Sequence, residues 1–390
     1  MSGYSLLAGV RILEVAQLAP SSVGGHLADL GADVVKVETG AGEGVRHNGA
    51  RAVGSPDGPG FMHLRWNRGK RSVALDLRAE EGRQAFLRLA ATADAVVEGT
   101  RHGYLERLGL GWDALREVRP QTVLCEVSGT GAEGPYRDLA TGGMWFDAYA
   151  GMRTVDTDRP SPPGVTGGSA EVPQAMYAIG AYGAMAILAA VLRARETGRG
   201  ARLQISSVDV ATAWMPDRID AALNADRTVA RPGWLPDGRL PDWPLLDAYA
   251  TKDGGAIVLG SHYPKFWRAF CTAVGRPDLL EIDLSTVDEG SEERALHVWR
   301  ELDALFRTRT KQDWVDLFLA HDVAGGPVNT VEELLEDRHF TARATTYEKD
   351  GPHGRLRFAA SPVRVVGEEF APDLAPELGQ HTDEVLGELS

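Results

Sequence analysis

Near the start of the chain a strand, a helix and a second strand fit into about 30 residues, and this spacing limits the fold more than any other feature. At 9–14 the apolar Val10, Ile12 and Leu13 read as a short strand. Pro20, Ser21 and Ser22 mark a turn, residues 23–30 carry a helical pattern that Gly31 stops, and DVVKVE at 33–38 reads as a second strand. Parallel neighbours need a crossover of this length, so the segment is a βαβ unit. The pattern recurs. A strand is expected at 72–77, a helix at 79–91 with Glu80, Glu81 and Arg83 on its polar face, and a strand at 95–98. Short helical pieces at 105–108 and 112–118 precede another strand at 122–128. The first third of the chain therefore reads as an open parallel α/β sheet.

Residues 129–168 are rich in Gly and Pro and read as loop, with a short helix at 144–150. Loops of this length in a compact domain tend to be functional. Residues 172–192 carry no charge and are long enough to cross a bilayer. Their many Ala and Gly residues, with Pro173 and Gln174, favour a long buried helix that runs to about 195 and ends at TGRG. A strand at 201–208 and a helix at 209–223 follow, then a Pro- and Gly-rich boundary at 228–242. Beyond it lie a hairpin at 246–259 and helices at 263–274, 292–306, 311–320, 331–336 and 339–343. Strands are expected at 355–358 and 363–366. The division expected is a large domain at 1–220, a smaller α+β domain at 221–328, and a return to the large domain at 329–390.

Charge excludes some functions. Asp plus Glu number 55 against 41 Lys plus Arg, a formal net charge of −14, which argues against nonspecific nucleic-acid binding and against docking on anionic lipid. Two Cys and ten His without ligand spacing predict neither a disulfide framework nor a metal site. Arg11 and Glu14 interrupt the first apolar stretch, so no signal peptide is expected and the cytoplasm is the default compartment. The turn VAQLAPSSVGG lacks a dinucleotide-binding fingerprint, and no P-loop, HExxH or GxSxG motif occurs.

Two segments stand out. NRGKRSVALDL at 67–77 places Arg68, Lys70 and Arg71 around a Gly immediately before a strand. They are either donors to phosphate or a solvated basic turn. GTGAEGP at 129–135, containing Gly131, follows a parallel strand directly, where α/β sheets put ligands; the plain alternative is a tight turn at Pro135.

Eight segments in order resemble the family III CoA-transferases, the group that includes formyl-CoA transferase and the α-methylacyl-CoA racemases. They are GVRILEVAQLAP, LADLGADVVKVE, NRGKRSVALDL, ADAVVEG with LERLGL, SGTGAEGPY, ETGRGARLQISSVDV, FRTRTKQDW and GQHTDEVL. The resemblance implies a Rossmann-like large domain, a smaller second domain, and two subunits threaded through each other as a homodimer. It implies coenzyme A, presented as an acyl-CoA thioester, with a carboxylic acid as the other substrate and no metal. It puts Arg68, Lys70, Arg71 and Arg101 at the CoA phosphates or adenine. Ala16 and Gln17 would lie by the pantetheine and thioester, Gly99 beside the CoA where many relatives carry Asn, and Gly131 in the loop that serves the oxyanion.

Departures from the family pattern decide the chemistry. The nucleophilic Asp of family transferases falls here at Met176, with Ala175 beside it. The nearest carboxylate is Glu171, which would serve if the helix starts earlier than in relatives; the plain alternative is a capping Glu. The racemase His falls at Gly142 or Gly143, and Asp147 is the acid nearby. Three functions follow: CoA transfer through a carboxylate nucleophile, acyl-CoA isomerisation on the same scaffold, or a non-catalytic partner subunit in a heteromer with an Asp-bearing homologue. Trp145, Phe146 and Tyr149 point either to a bulky or apolar substrate or to core packing.

Overall fold

A computed structural model describes residues 3–47, 49–52, 58–152, 172–227, 244–285, 290–343 and 345–389. Contacts divide the chain into two units, Met1–Met215 with Thr345–Ser390, and Pro216–Ala344.

The first unit runs β1 (Arg11–Ala16), α1 (Ser21–Asp29), β2 (Asp33–Glu38), α2 (Phe61–Asn67), β3 (Arg71–Ala74), α3 (Glu80–Thr92) and β4 (Ala95–Gly99). It continues through α4 (Tyr104–Arg107), α5 (Trp112–Val118), β5 (Val123–Ser128), α6 (Trp145–Tyr149), α7 (Gln174–Thr197), β6 (Ala201–Ser206) and α8 (Ser207–Ala213). Its six-stranded sheet has the order β3-β2-β1-β4-β5-β6, every neighbour parallel. The chain winds outward from β1 to β3 and then returns to the other side of β1. The order therefore reverses between β1 and β4, where Ala16 pairs with Gly99.

Strand alternation explains the burial. In β1, Ile12 faces a core with Val23 and Leu27 of α1 and Ile179 and Ile187 of α7, while Leu13 and Val15 face a core with Phe86 and Leu89 of α3 and Leu115 of α5. Helices α1 and α7 approach closely because α7 has Gly where they meet. A Cβ on Gly180 would stand 2.1 Å from Ser22 Oγ, and one on Gly183 2.6 Å from a Val23 methyl. Helix α7 meets the length and hydropathy of a membrane span, yet half of its most apolar window is buried within the fold. It stops at Gly198, whose φ of 71° places it in the left-handed region that ends helices.

The second unit begins with α9 (Pro216–Leu223) and builds an antiparallel sheet from β7 (Leu246–Ala250), β8 (Ala256–Gly260) and, after α10 (Pro264–Val274), α11 (Ser291–Phe306) and α12 (Lys311–His321), β9 (Gly325–Val328). It closes with α13 (Val331–Glu336) and α14 (Arg338–Ala342). Its core is aromatic: Tyr249 stacks on Phe306 at 4.8 Å, and Trp314 lies 4.8 Å from Phe306 while its indole N–H donates to the Phe306 carbonyl. The chain then returns to the first unit with the hairpin β10 (Thr346–Gly351) and β11 (Gly354–Ala359), and with α15 (Thr382–Gly387), which packs on β3.

The structure corrects several sequence expectations. Residues 209–223 form two helices, because Pro216 cannot continue α8. Residues 363–366 form no strand; the partner of β11 is β10. The return to the first unit falls at Thr345 rather than 329, since α13 and α14 stay with the second unit. Helix α2 was not anticipated.

Candidate active site

The switch between β1 and β4 opens a cavity of about 530 Å³ at the C-terminal ends of the strands. One wall is the β1–α1 turn from Val15 to Pro20. Within it Leu18 has φ of 56°, a left-handed conformation that costs a non-glycine residue about 1 kcal/mol. The Gln17 N–H donates to the Gly99 carbonyl at 3.1 Å, tying the turn to β4. Gly99 is required there, because a Cβ would lie 2.2 Å from Pro20 Cβ and 2.8 Å from Ala16 Cβ. The opposite side is formed by Ser128, Gly129, Thr141, Gly142, Gly143, Phe146, Met176 and Ser207.

Three arginines line the same cavity: Arg78 after β3, Arg101 after β4, and Arg107 in α4. All three are exposed, and none makes an ion pair among the described residues. The Arg107 guanidinium donates to the His102 carbonyl at 2.8 Å, which leaves further donors available. Such a set suits a phosphate-bearing ligand. Arg101 was expected at this position; Arg78 and Arg107 were missed. LDLR places Arg78 directly after the strand in NRGKRSVALDLR, a signal the sequence did contain.

The basic turn itself is corrected. Arg68 is buried, forms two bonds to the Asp29 carboxylate at 2.7 and 2.6 Å, donates to the Ala359 carbonyl, and lies 4.8 Å from the Phe370 ring. Arg71 is held by Asp33, Glu384 and Glu388. Lys70 is buried on Glu14, the Ser21 carbonyl and Asn67 Oδ1. These cations satisfy the acidic groups that strand ends and α1 bury, so none of the three belongs to the lining with Arg101. Gly131 also lies outside the lining; at φ of 88° its N–H donates to Ser128 Oγ at 2.9 Å and shapes the loop.

Asp147 is likewise corrected from an acid facing substrate to a cap. It is 1% exposed, and its two oxygens accept the N–H groups of Gln174 at 2.8 Å and Ala175 at 3.0 Å, the first amides of α7. Glu171 lies outside the described residues. Two carboxylates do line the cavity, Glu38 and Glu43, but both are committed below it. Burial pushes the Glu43 carboxyl up, yet Lys36 and His63 outweigh it and bring it to about 2. Burial likewise opposes the Arg46 and Lys36 contacts that hold Glu38 below its ordinary value. Neither is a base at neutral pH. Among the described residues no His lines the cavity. Among the described residues no group of three or more His, Cys, Asp or Glu is placed to hold a metal.

The sequence profile described as CoA-transferase family III matches residues 7–382. The chain belongs to that family. It is 30% identical to the probable fatty acyl-CoA transferase of Mycobacterium tuberculosis, over 96% of each chain. It is 28% identical to the succinate–glutarate CoA-transferase of Agrobacterium fabrum, over 98% of this chain and 95% of that one. The succinyl-CoA–L-malate CoA-transferase beta subunit of Chloroflexus aurantiacus is 29% identical over 98% of this chain and 94% of its own. A crystal structure of the Mycobacterium tuberculosis protein superposes with a TM-score of 0.79 at 29% identity, covering 98% of this chain and 99% of that chain. Family III membership carries CoA-transferase activity in general terms, with coenzyme A as the group handled. The cavity at the switch point, bordered by three arginines that make no ion pair among the described residues, fits such a ligand.

Proposed function

We propose that this protein moves coenzyme A between an acyl-CoA thioester and a carboxylic acid. The observation carrying the proposal is the joint location of Arg78, Arg101 and Arg107 with the Ala16–Gln17–Gly99 edge around one cavity. The arginines meet the CoA phosphates, the thioester lies along the edge, and the acyl group points toward Phe146 and Met176.

The nucleophile in this reading is the Glu171 carboxylate, three residues before α7. Its oxygen attacks the thioester carbonyl carbon, the C–S bond of the resulting adduct breaks, and CoA departs as thiolate, leaving an acyl–glutamyl mixed anhydride. The thiolate returns to the glutamyl carbonyl and releases the donor acid. The acceptor carboxylate then takes the acyl position by the reverse sequence. Incubation with acyl-CoA and hydroxylamine, followed by mass spectrometry, should mark Glu171, and Glu171→Gln should abolish both the mark and transfer. Transfer that survives Glu171→Gln refutes this nucleophile.

One observation favours a second reading. Met176 lines the cavity at the position to which the family resemblance assigns the reacting Asp, and one relative is itself named a beta subunit. In this reading the chain binds CoA within a heteromer and an Asp-bearing homologue performs the chemistry. Co-purification of such a homologue, with no transfer by the isolated chain, selects it. An interlocked homodimer in the cytoplasm is the arrangement proposed for the first reading; a monomeric mass in solution would refute it.

A further inference from the structure

Beneath the cavity lies a set of charges larger than ordinary packing requires. Glu14, Glu38 and Glu43 face Lys36, Lys70 and Arg46, and every one of them is at most 7% exposed. His63 joins them, and burial holds its imidazole below the ordinary value, so the three acids and three bases balance. Burying six charges is costly unless each is fully paired, and pairing alone seldom makes such a set stabilising. Its geometry points elsewhere.

Each lysine reaches out of the charged set to the β1–α1 turn. Lys36 Nζ contacts Glu14 at 3.2 Å and Glu43 at 3.3 Å, and it also donates to the Ala16 carbonyl at 2.7 Å and to Ser21 Oγ at 3.1 Å. Lys70 Nζ holds both Glu14 oxygens and donates to the Ser21 carbonyl at 2.7 Å. Ala16 and Ser21 are the two ends of the turn whose middle carries left-handed Leu18. Glu14 reaches its place because α1 has Gly24 there; a Cβ would stand 2.1 Å from the carboxylate. A strained turn persists only when its surroundings over-determine it.

We propose that Lys36 and Lys70 are positioning residues of the cavity: two buried ammonium groups clamp both ends of the β1–α1 turn and hold Leu18 and the Ala16–Gln17 edge in ligand-binding shape. The ligand in this inference rests on the CoA reading above; the clamp does not.

The test measures CoA affinity by calorimetry and amide exchange by mass spectrometry on the full chain. Lys36→Met should weaken CoA by about tenfold or more and speed exchange in 16–22. Ser21→Ala leaves every charge paired, removes one Lys36 acceptor, and should weaken CoA by about threefold, which keeps the test decisive if Lys36→Met does not fold. Leu89→Ala, in the core on the opposite face of the sheet, supplies a destabilised control and should leave CoA affinity unchanged. If Ser21→Ala and any folded Lys36→Met lose no more affinity than Leu89→Ala, and exchange in 16–22 is unaltered, the clamp is refuted. If the native chain fails to bind CoA, the functional reading falls, and exchange in 16–22 alone decides the clamp.

Discussion

Replacing Asp147 separates a capping carboxylate from a chemical one. Its oxygens accept two amides of α7 at 2.8 and 3.0 Å in a site that is 1% exposed. Ordinary N-caps are worth about 1 kcal/mol, and hydrogen bonds to a charged group about 1.5–3 kcal/mol. Asp147→Ala strands one buried and one part-buried donor at the positive end of a 24-residue helix, so a loss of about 3 kcal/mol is expected. That is roughly a 150-fold rise in the opening equilibrium of the first turn of α7. Asp147→Asn keeps one acceptor and should cost about half as much.

Amide exchange on peptides from the start of α7 reads this locally, which matters because a chain of two units need not unfold in one step. The expected result is fast exchange at the α7 start in Asp147→Ala, intermediate exchange in Asp147→Asn, and turnover falling in the same order as the helix end frays. If Asp147→Ala leaves α7 protected and thermal unfolding unchanged yet abolishes turnover, the capping account is wrong and Asp147 acts on substrate.

Four further outcomes are expected. Arg101→Ala should weaken CoA about tenfold, and the affinity that remains should fall less steeply with salt than in the native chain. Gly99→Ala forces a methyl against Pro20, so it should destabilise the first unit by about 1–3 kcal/mol and reduce CoA binding, read by thermal unfolding and calorimetry. Burial, with the nearby Glu126 charge adding to it, pushes Glu98 up to about 7. A carboxyl raised in the fold stabilises below its ordinary range and loses that contribution as pH rises through about 7, so unfolding temperature should fall from pH 5 to 8 and Glu98→Gln should flatten the profile. Met176→Asp should restore a hydroxylamine-trappable acid in the cavity, detected by mass spectrometry on the α7 peptide.

The sheet was legible because its signal is local. Strand, helix and strand follow at fixed spacing, and apolar residues fall where β1, β2, β4 and β5 bury both faces. Helix α2 was not legible. It is seven residues long, follows a Gly-, Pro- and Asp-rich stretch, and is fixed by tertiary contacts of Leu64 and Trp66 rather than by a period. The basic turn misled for a related reason. Sequence shows that Arg68 and Lys70 are charged, but not that Asp29 and Glu14 wait for them across 39 and 56 residues. Long-range pairing decides whether a cation meets solvent, ligand or a buried acid, and spacing along the chain carries none of it. Arg101 lines the cavity because a loop directly after a parallel strand reaches this edge, but in the sequence only the family resemblance marks it.

The same reasoning bears on the missing nucleophile. Met176 is the third residue of α7, at the end of the helix where unpaired amides favour an anion. Asp147 already accepts the first two amides from below, and Met176 lines the cavity above. The helix end is therefore satisfied by an acid turned away from substrate, and its demand for negative charge is met without one in the cavity. A carboxylate at 176 would face substrate with the nearby Asp147 charge opposing its ionisation. The apolar residue removes that repulsion and leaves the cavity with a thioether wall.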